Sequence, residues 1–206
     1  MILCVIINKL HSLQWNKIHM PLSEIPGRIF LDSSTLQTLQ DFGEYIYDGE
    51  EISPNNKIWM IPDGINNVEA LRNIMLVGSR GSLQLAISHN SIQEVLDRGK
   101  FDYLTWALEV VDYWESCIYS YEGNSNAFSR QGLLLSAKLQ ENQFGYLSIK
   151  DAKLISDAII LECEVFLTME RKLPRNYAHI ERELGIKVLQ PIGYWNLLEP
   201  WAALLG

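Results

Sequence analysis

The sequence predicts an α/β protein built on a central parallel sheet. Three observations carry that expectation. Helical and extended patterns alternate through the last third of the chain, and such a run closes as parallel strands joined by crossover helices. Two short apolar runs, Arg28-Ile-Phe-Leu31 and Gln84-Leu-Ala-Ile-Ser88, are each followed by helical spacing. The length of 206 residues, with 48% hydrophobic and 20% charged, fits one folded domain with additions and excludes a disordered chain.

The elements follow in order. Ile25-Pro26-Gly27 reads as a turn, and Arg28–Leu31 as the first buried strand. A helix carrying Leu36, Leu39 and Phe42 comes next, with Ser33 or Ser34 as its cap. Residues 43 to 66 hold Gly43, Gly49, Pro54, Pro62 and Gly64 and read as a long loop. A helix is expected over Val68–Val77, a strand over Gln84–Ser88, and a further helix from about Ile92. Residues 101 to 121 and Phe128–Gln143 have helical spacing, separated by Gly123-Asn-Ser-Asn126, which predicts an inserted helical hairpin. The end is a helix over Ile149–Leu161, a strand over Val165–Thr168, a helix over Asn176–Leu184 stopped by Gly185, and a strand over Ile186–Leu189 closed by Pro191. This gives an extension (1–27), a body (28–191, insertion at about 101–146) and a tail (192–206).

Composition narrows the function classes. Lys plus Arg is 17 against 25 for Asp plus Glu, a formal charge of −8, which argues against nucleic-acid binding through net charge. A local basic groove, or an acidic pocket that takes cations, remains compatible with it. Cys4, Cys117 and Cys163 are odd in number and contain no CxxC, so neither a disulfide framework nor a cysteine-based zinc site is expected. No apolar run approaches a membrane span. Met1–Ile7 is apolar but ends at Asn8 and Lys9, and reads as a strand or loosely attached extension of a cytoplasmic protein. His11, His19, His89 and His179 form no HxxxH pair, and neither GxGxxG nor GxxxxGK[ST] occurs.

Four acids fall near the carboxyl ends of expected strands, where open α/β sheets bind ligands. Asp32 follows the first strand, Glu94 lies early in the helix after the second, Asp151 opens the helix before Val165–Thr168, and Glu170 follows that strand. At roughly 100° per residue, Asp151 at 0° has Ala158 at about −20° and Ile155 at about 40°. An acid on that apolar face needs a compensating partner, and a metal ion is one such partner. By the same construction Asp157 falls beside Lys153, on the solvated flank. Helix capping competes for the same acids: Ser148-Ile-Lys-Asp151 and Ser91-Ile-Gln-Glu94 both fit a capping box, and Asp32 fits an N-cap.

The order of these segments resembles the PIN-domain family. The matching stretches are Ile29-Phe-Leu-Asp-Ser-Ser-Thr-Leu36, Ala86-Ile-Ser-His-Asn-Ser-Ile-Gln-Glu-Val95, Asp151-Ala-Lys-Leu-Ile-Ser-Asp-Ala158, Val165-Phe-Leu-Thr-Met-Glu-Arg-Lys-Leu173 and Gly185-Ile-Lys-Val-Leu-Gln-Pro191. The resemblance implies a three-layer α/β/α fold and a Mg²⁺- or Mn²⁺-dependent endoribonuclease. It implies that Asp32, Glu94, Asp151 and Glu170 are the catalytic, metal-binding quartet, with Ser33, Ser34 and Thr168 supporting them. Glu170 departs from the family's usual Asp, and residues 43–80 and 101–146 are longer than in minimal toxin-type members. A homodimer and an antitoxin-like or other protein partner belong to the same expectation. The rival expectation is a catalytically silent PIN-like module that binds RNA or a protein.

Phosphodiester hydrolysis places negative charge on non-bridging and leaving oxygens. A hard divalent cation stabilises that charge, acidifies a bound water and takes oxygen ligands, which a carboxylate cluster provides. Arg171, Lys172, Arg98, Lys100 and Arg130 are the candidate phosphate contacts. Trp106, Tyr113, Trp114, Tyr119 and Tyr121 could stack bases, although Trp106, Val110, Tyr113 and Cys117 keep the spacing of a packed helical face.

Overall fold

Apolar runs too short for helices form the strands β1 (Arg28–Leu31), β2 (Gln84–Ser88), β3 (Ile118–Ser120), β4 (Val165–Leu167) and β5 (Lys187–Leu189). Among the described residues the α-helices of eight residues or more are α1 (Ser33–Asp41), α2 (Gly64–Gly78), α3 (His89–Leu96), α4 (Asp102–Tyr113), α5 (Arg130–Lys138), α6 (Ile149–Ile160), α7 (Tyr177–Leu184) and α8 (Pro191–Leu198). The structure, a computed structural model, describes residues 21–78, 80–97, 102–114, 117–120, 130–140 and 144–205.

The sheet has the order β3-β2-β1-β4-β5 and every pairing in it is parallel. The chain builds outward from β1 to β2 and β3, then returns across the sheet to β4 and β5. The strand order therefore reverses beside β1, where open sheets of this kind leave a crevice at their carboxyl ends.

Side chains alternate across the sheet. Phe30, Ala86, Phe166 and Val188 face Leu154, Ile155 and Ala158 of α6 and Ile180 and Leu184 of α7. Ile29, Leu31, Leu85, Ile87, Val165 and Leu167 belong to the opposite cluster with Leu36, Leu71, Ile92 and Tyr194 from α1, α2, α3 and α8. Helices thus cover both faces of a parallel sheet, an arrangement compatible with three α/β/α layers. Phe30 and Phe166 stack at 5.5 Å between centroids, pinning the two strands at the reversal. Among the described residues no helix is long and apolar enough to cross a membrane.

Several expectations are corrected. The inserted hairpin is not a hairpin in its described part: Ile118–Ser120 pairs in parallel with β2, so α4 belongs to a crossover and β3 extends the sheet. The expected tail begins with a helix instead, because proline suits the first helical position as well as it stops a strand. Tyr194 of that helix is fully buried, and its hydroxyl donates to the Pro26 carbonyl at 2.6 Å. The fold therefore starts before residue 28 and extends beyond 191. Asp32, not Ser33 or Ser34, caps α1. Tyr103 and Ala107 form the buried face of α4 while Tyr113 is 83% exposed, so the expected stripe ends early.

Other expectations hold. Gly185 ends α7 with φ of +74°, a left-handed backbone that favours glycine. Burial pushes the Cys163 thiol up to about 12, which leaves little reactive thiolate near neutral pH. Glu164 accepts the backbone N–H groups of Gly27 at 2.7 Å and Arg28 at 3.2 Å and so fixes the entry into β1.

Candidate acidic site at the strand reversal

Asp32 lies where β1 ends and α1 begins. Its backbone N–H still donates to Leu167 of β4 at 3.2 Å. Its side chain then accepts the Thr35 N–H at 2.7 Å, satisfying one of the donors a helix start leaves open. The positive end of α1 favours negative charge at that position.

Hydroxyls complete the shell. Thr168, directly after β4, donates to Asp32 Oδ2 at 2.6 Å, and Ser34 donates to the same carboxylate with both oxygens at 2.9 Å. Each hydroxyl also accepts from the β4 exit, Ser34 from the Met169 N–H and Thr168 from the Glu170 N–H, both at 3.0 Å. Thr35 donates its hydroxyl to the Leu167 carbonyl at 2.9 Å. Asp32, Ser33, Thr35 and Thr168 are all buried. Burial raises the Asp32 carboxyl above its ordinary range, and the bonds from Thr168, Thr35 and Ser34 oppose that rise without cancelling it.

Ser33 carries the site to the next helix, since its hydroxyl donates to Glu94 Oε2 at 2.7 Å. Two expected acids, Asp32 and Glu94, are thereby brought to one place through adjacent residues of α1. Glu170 stands two residues past Thr168 and its N–H reaches the Thr168 hydroxyl, while the Asp151 carboxylate bonds elsewhere. Asp151 closes a capping box in the first turn of α6: its N–H donates to Ser148 Oγ at 3.1 Å, and its Oδ2 accepts the Ser148 N–H at 3.3 Å and hydroxyl at 2.8 Å. Glu170 is exposed beyond β4, and its carbonyl accepts from Gln190 Nε2 at 3.4 Å. Among the described residues no three of His, Cys, Asp and Glu group closely enough to hold a metal ion. Of the expected quartet, Glu94 bonds to Ser33 next to Asp32, the Glu170 backbone bonds to Thr168 beside Asp32, and the Asp151 carboxylate bonds within its own helix start.

The Ser148–Asp151 box makes a separable prediction. Ser148→Ala should lower unfolding free energy by about 1 kcal/mol, measured by urea denaturation. It should leave any catalysis intact, because the hydroxyl it removes touches only the cap.

Of the basic candidates, Arg171, Lys172 and Arg130 are exposed. Arg98, Lys100 and Tyr121 lie outside the described residues, as does the Tyr119 side chain. Sequence reasoning missed Asp157. It is no solvated flank residue: its Oδ2 accepts from Ser88 Oγ at 2.6 Å and Asn90 Nδ2 at 2.7 Å. The available signal was Ser88 itself, a polar residue at the buried end of an apolar strand. Compared with family profiles, curated proteins and solved structures, the chain matches none.

Proposed function

We propose that the chain is a PIN-like ribonuclease that hydrolyses RNA phosphodiester bonds at the carboxyl ends of β1 and β2. The observation that carries this reading is Asp32 at the strand reversal, held by Thr168 and Ser34, with its chain neighbour Ser33 bonded to Glu94. The donor chemistry there is all oxygen, which suits Mg²⁺ or Mn²⁺, and Asp32 and Glu94 would hold such an ion. When bound, the ion would supply charge neutralisation at the phosphate and a more acidic water.

The chain's own residues prepare that chemistry. Thr168 and Ser34 fix the Asp32 carboxylate against rotation. Ser33 does the same for Glu94. Arg171 and Lys172, exposed beside Glu170, offer positive charge to the RNA backbone at the rim of an otherwise acidic protein. Arg130 could extend that contact along α5.

The second reading is a silent PIN-like module that binds RNA or a protein partner. It is favoured by Asp151, whose carboxylate is engaged by its own helix cap. Cleavage of labelled single-stranded and hairpin RNA in Mn²⁺ tests the two. The enzyme reading expects cutting that falls at least ~100-fold in Asp32→Asn and Glu94→Gln, the scale of losing a group that stabilises transition-state charge. RNA bound but uncut by the wild type supports the silent module, and undiminished cutting by both variants removes these acids from the mechanism.

A further inference from the structure

We infer that Asp157 is a positioning residue for the acidic site, acting through the start of α3 on Glu94. Ser88 is the last residue of β2 and the N-cap of α3, in a reciprocal box with Ser91. Its hydroxyl accepts the Ser91 N–H at 3.3 Å while donating to Asp157 at 2.6 Å. Asn90, in the first turn, donates to the same carboxylate oxygen at 2.7 Å. One carboxylate on α6 thus grips the side chains of Ser88 and Asn90, either side of His89, at the entry to α3, where the helix end also favours its charge.

The register explains why this grip matters. Phe30 pairs with Ala86 on one side and Phe166 on the other. Two residues on, the same row runs Ser88, Asp32, Thr168 across the ends of β2, β1 and β4. Asp157 therefore fixes Ser88, the neighbour of Asp32 in that row. Glu94 lies further along α3, and its reach to Ser33 at 2.7 Å depends on where that helix starts. A shift of about 1 Å at a catalytic group costs on the order of 100-fold in rate.

The use of Glu94 rests on the ribonuclease reading; its placement does not, so the test has two arms. In the first, the nuclear Overhauser contact between Ser33 Hβ and Glu94 Hγ is compared in the full-length wild type, Asp157→Ala, Asp157→Asn and Asn90→Ala. Exchange of the Ser91 amide is followed in the same samples. The expected result is loss of the contact with about tenfold faster exchange in Asp157→Ala, corresponding to ~1.4 kcal/mol. Asp157→Asn, which keeps an acceptor for Ser88, should restore most of both. If Asp157→Ala does not fold, Asn90→Ala must weaken the contact in the same direction. An unchanged Ser33–Glu94 contact in the folded variants overturns the inference. In the second arm, RNA cleavage by Asp157→Ala should show kcat down about tenfold at unchanged KM, with recovery in Asp157→Asn. A raised KM at unchanged kcat would also overturn it. A wild type without cleavage defeats the ribonuclease reading and leaves the first arm to decide the positioning.

Discussion

Phe166→Ala is expected to cost about 3–5 kcal/mol of unfolding free energy, the range for deleting a fully buried phenylalanine, and to lower Tm by roughly 6–20 °C. Phe166 is 1% exposed and stacks on Phe30, which is 0% exposed, between the two strands that flank the reversal. The cavity would open directly beneath the Asp32–Thr168 bond, because Thr168 lies two residues further along the same chain and face. On the proposed ribonuclease reading, RNA cleavage should therefore fall in step with stability. Thermal and urea unfolding read the first effect. A loss below about 1 kcal/mol would mean that the rings do not seal β1 against β4.

Asp32→Asn should do the opposite to stability while removing activity. Burial raises the Asp32 carboxyl above its ordinary 3.8, so the folded protein holds that proton more tightly than the unfolded chain does. Below pH 3.8 both states are protonated and the residue costs little. As pH rises from that value through the folded-state value, the unfolded chain releases the proton first and stability is lost. At pH 7 in chelator the asparagine variant should melt higher than wild type, by roughly 2–4 °C for each kcal/mol recovered. The gap should shrink as pH falls towards 3.8. Melting curves from pH 3.5 to 7 check this, and a gap that widens on acidification would show that Asp32 is stabilised as the charged form.

What sequence made legible was local periodicity. β1, β2, β4 and the helix ending at Gly185 are short apolar runs or amphipathic turns with clear punctuation, and their order already implied a parallel sheet. β3 was hidden because Ile118-Tyr-Ser120 sits in an aromatic run with helical spacing. Its extended form comes from the open edge of β2, which is a tertiary cause. α8 was hidden because Pro191 marks both a strand end and a helix start. The acids were visible as residues but not as an arrangement. Asp32 and Asp151 each satisfied a capping rule and a site rule at once, and only the fold shows that Asp32 meets Thr168 from 136 residues away. Asp157 was misjudged because helical angles compare positions within one helix and do not see Ser88 across the layer.

On the proposed ribonuclease reading, Asp32 and Glu94 together take a divalent cation, and calorimetric titration of the protein with Mn²⁺ is the sharpest check. Wild-type protein should bind Mn²⁺ saturably, with Tm rising by an amount equivalent to about 2.7 kcal/mol at a hundredfold excess over Kd. Asp32→Asn and Glu94→Gln should abolish both the heat and the shift. Equal Mn²⁺ binding by wild type and both variants, or none by the folded wild type, would contradict that reading.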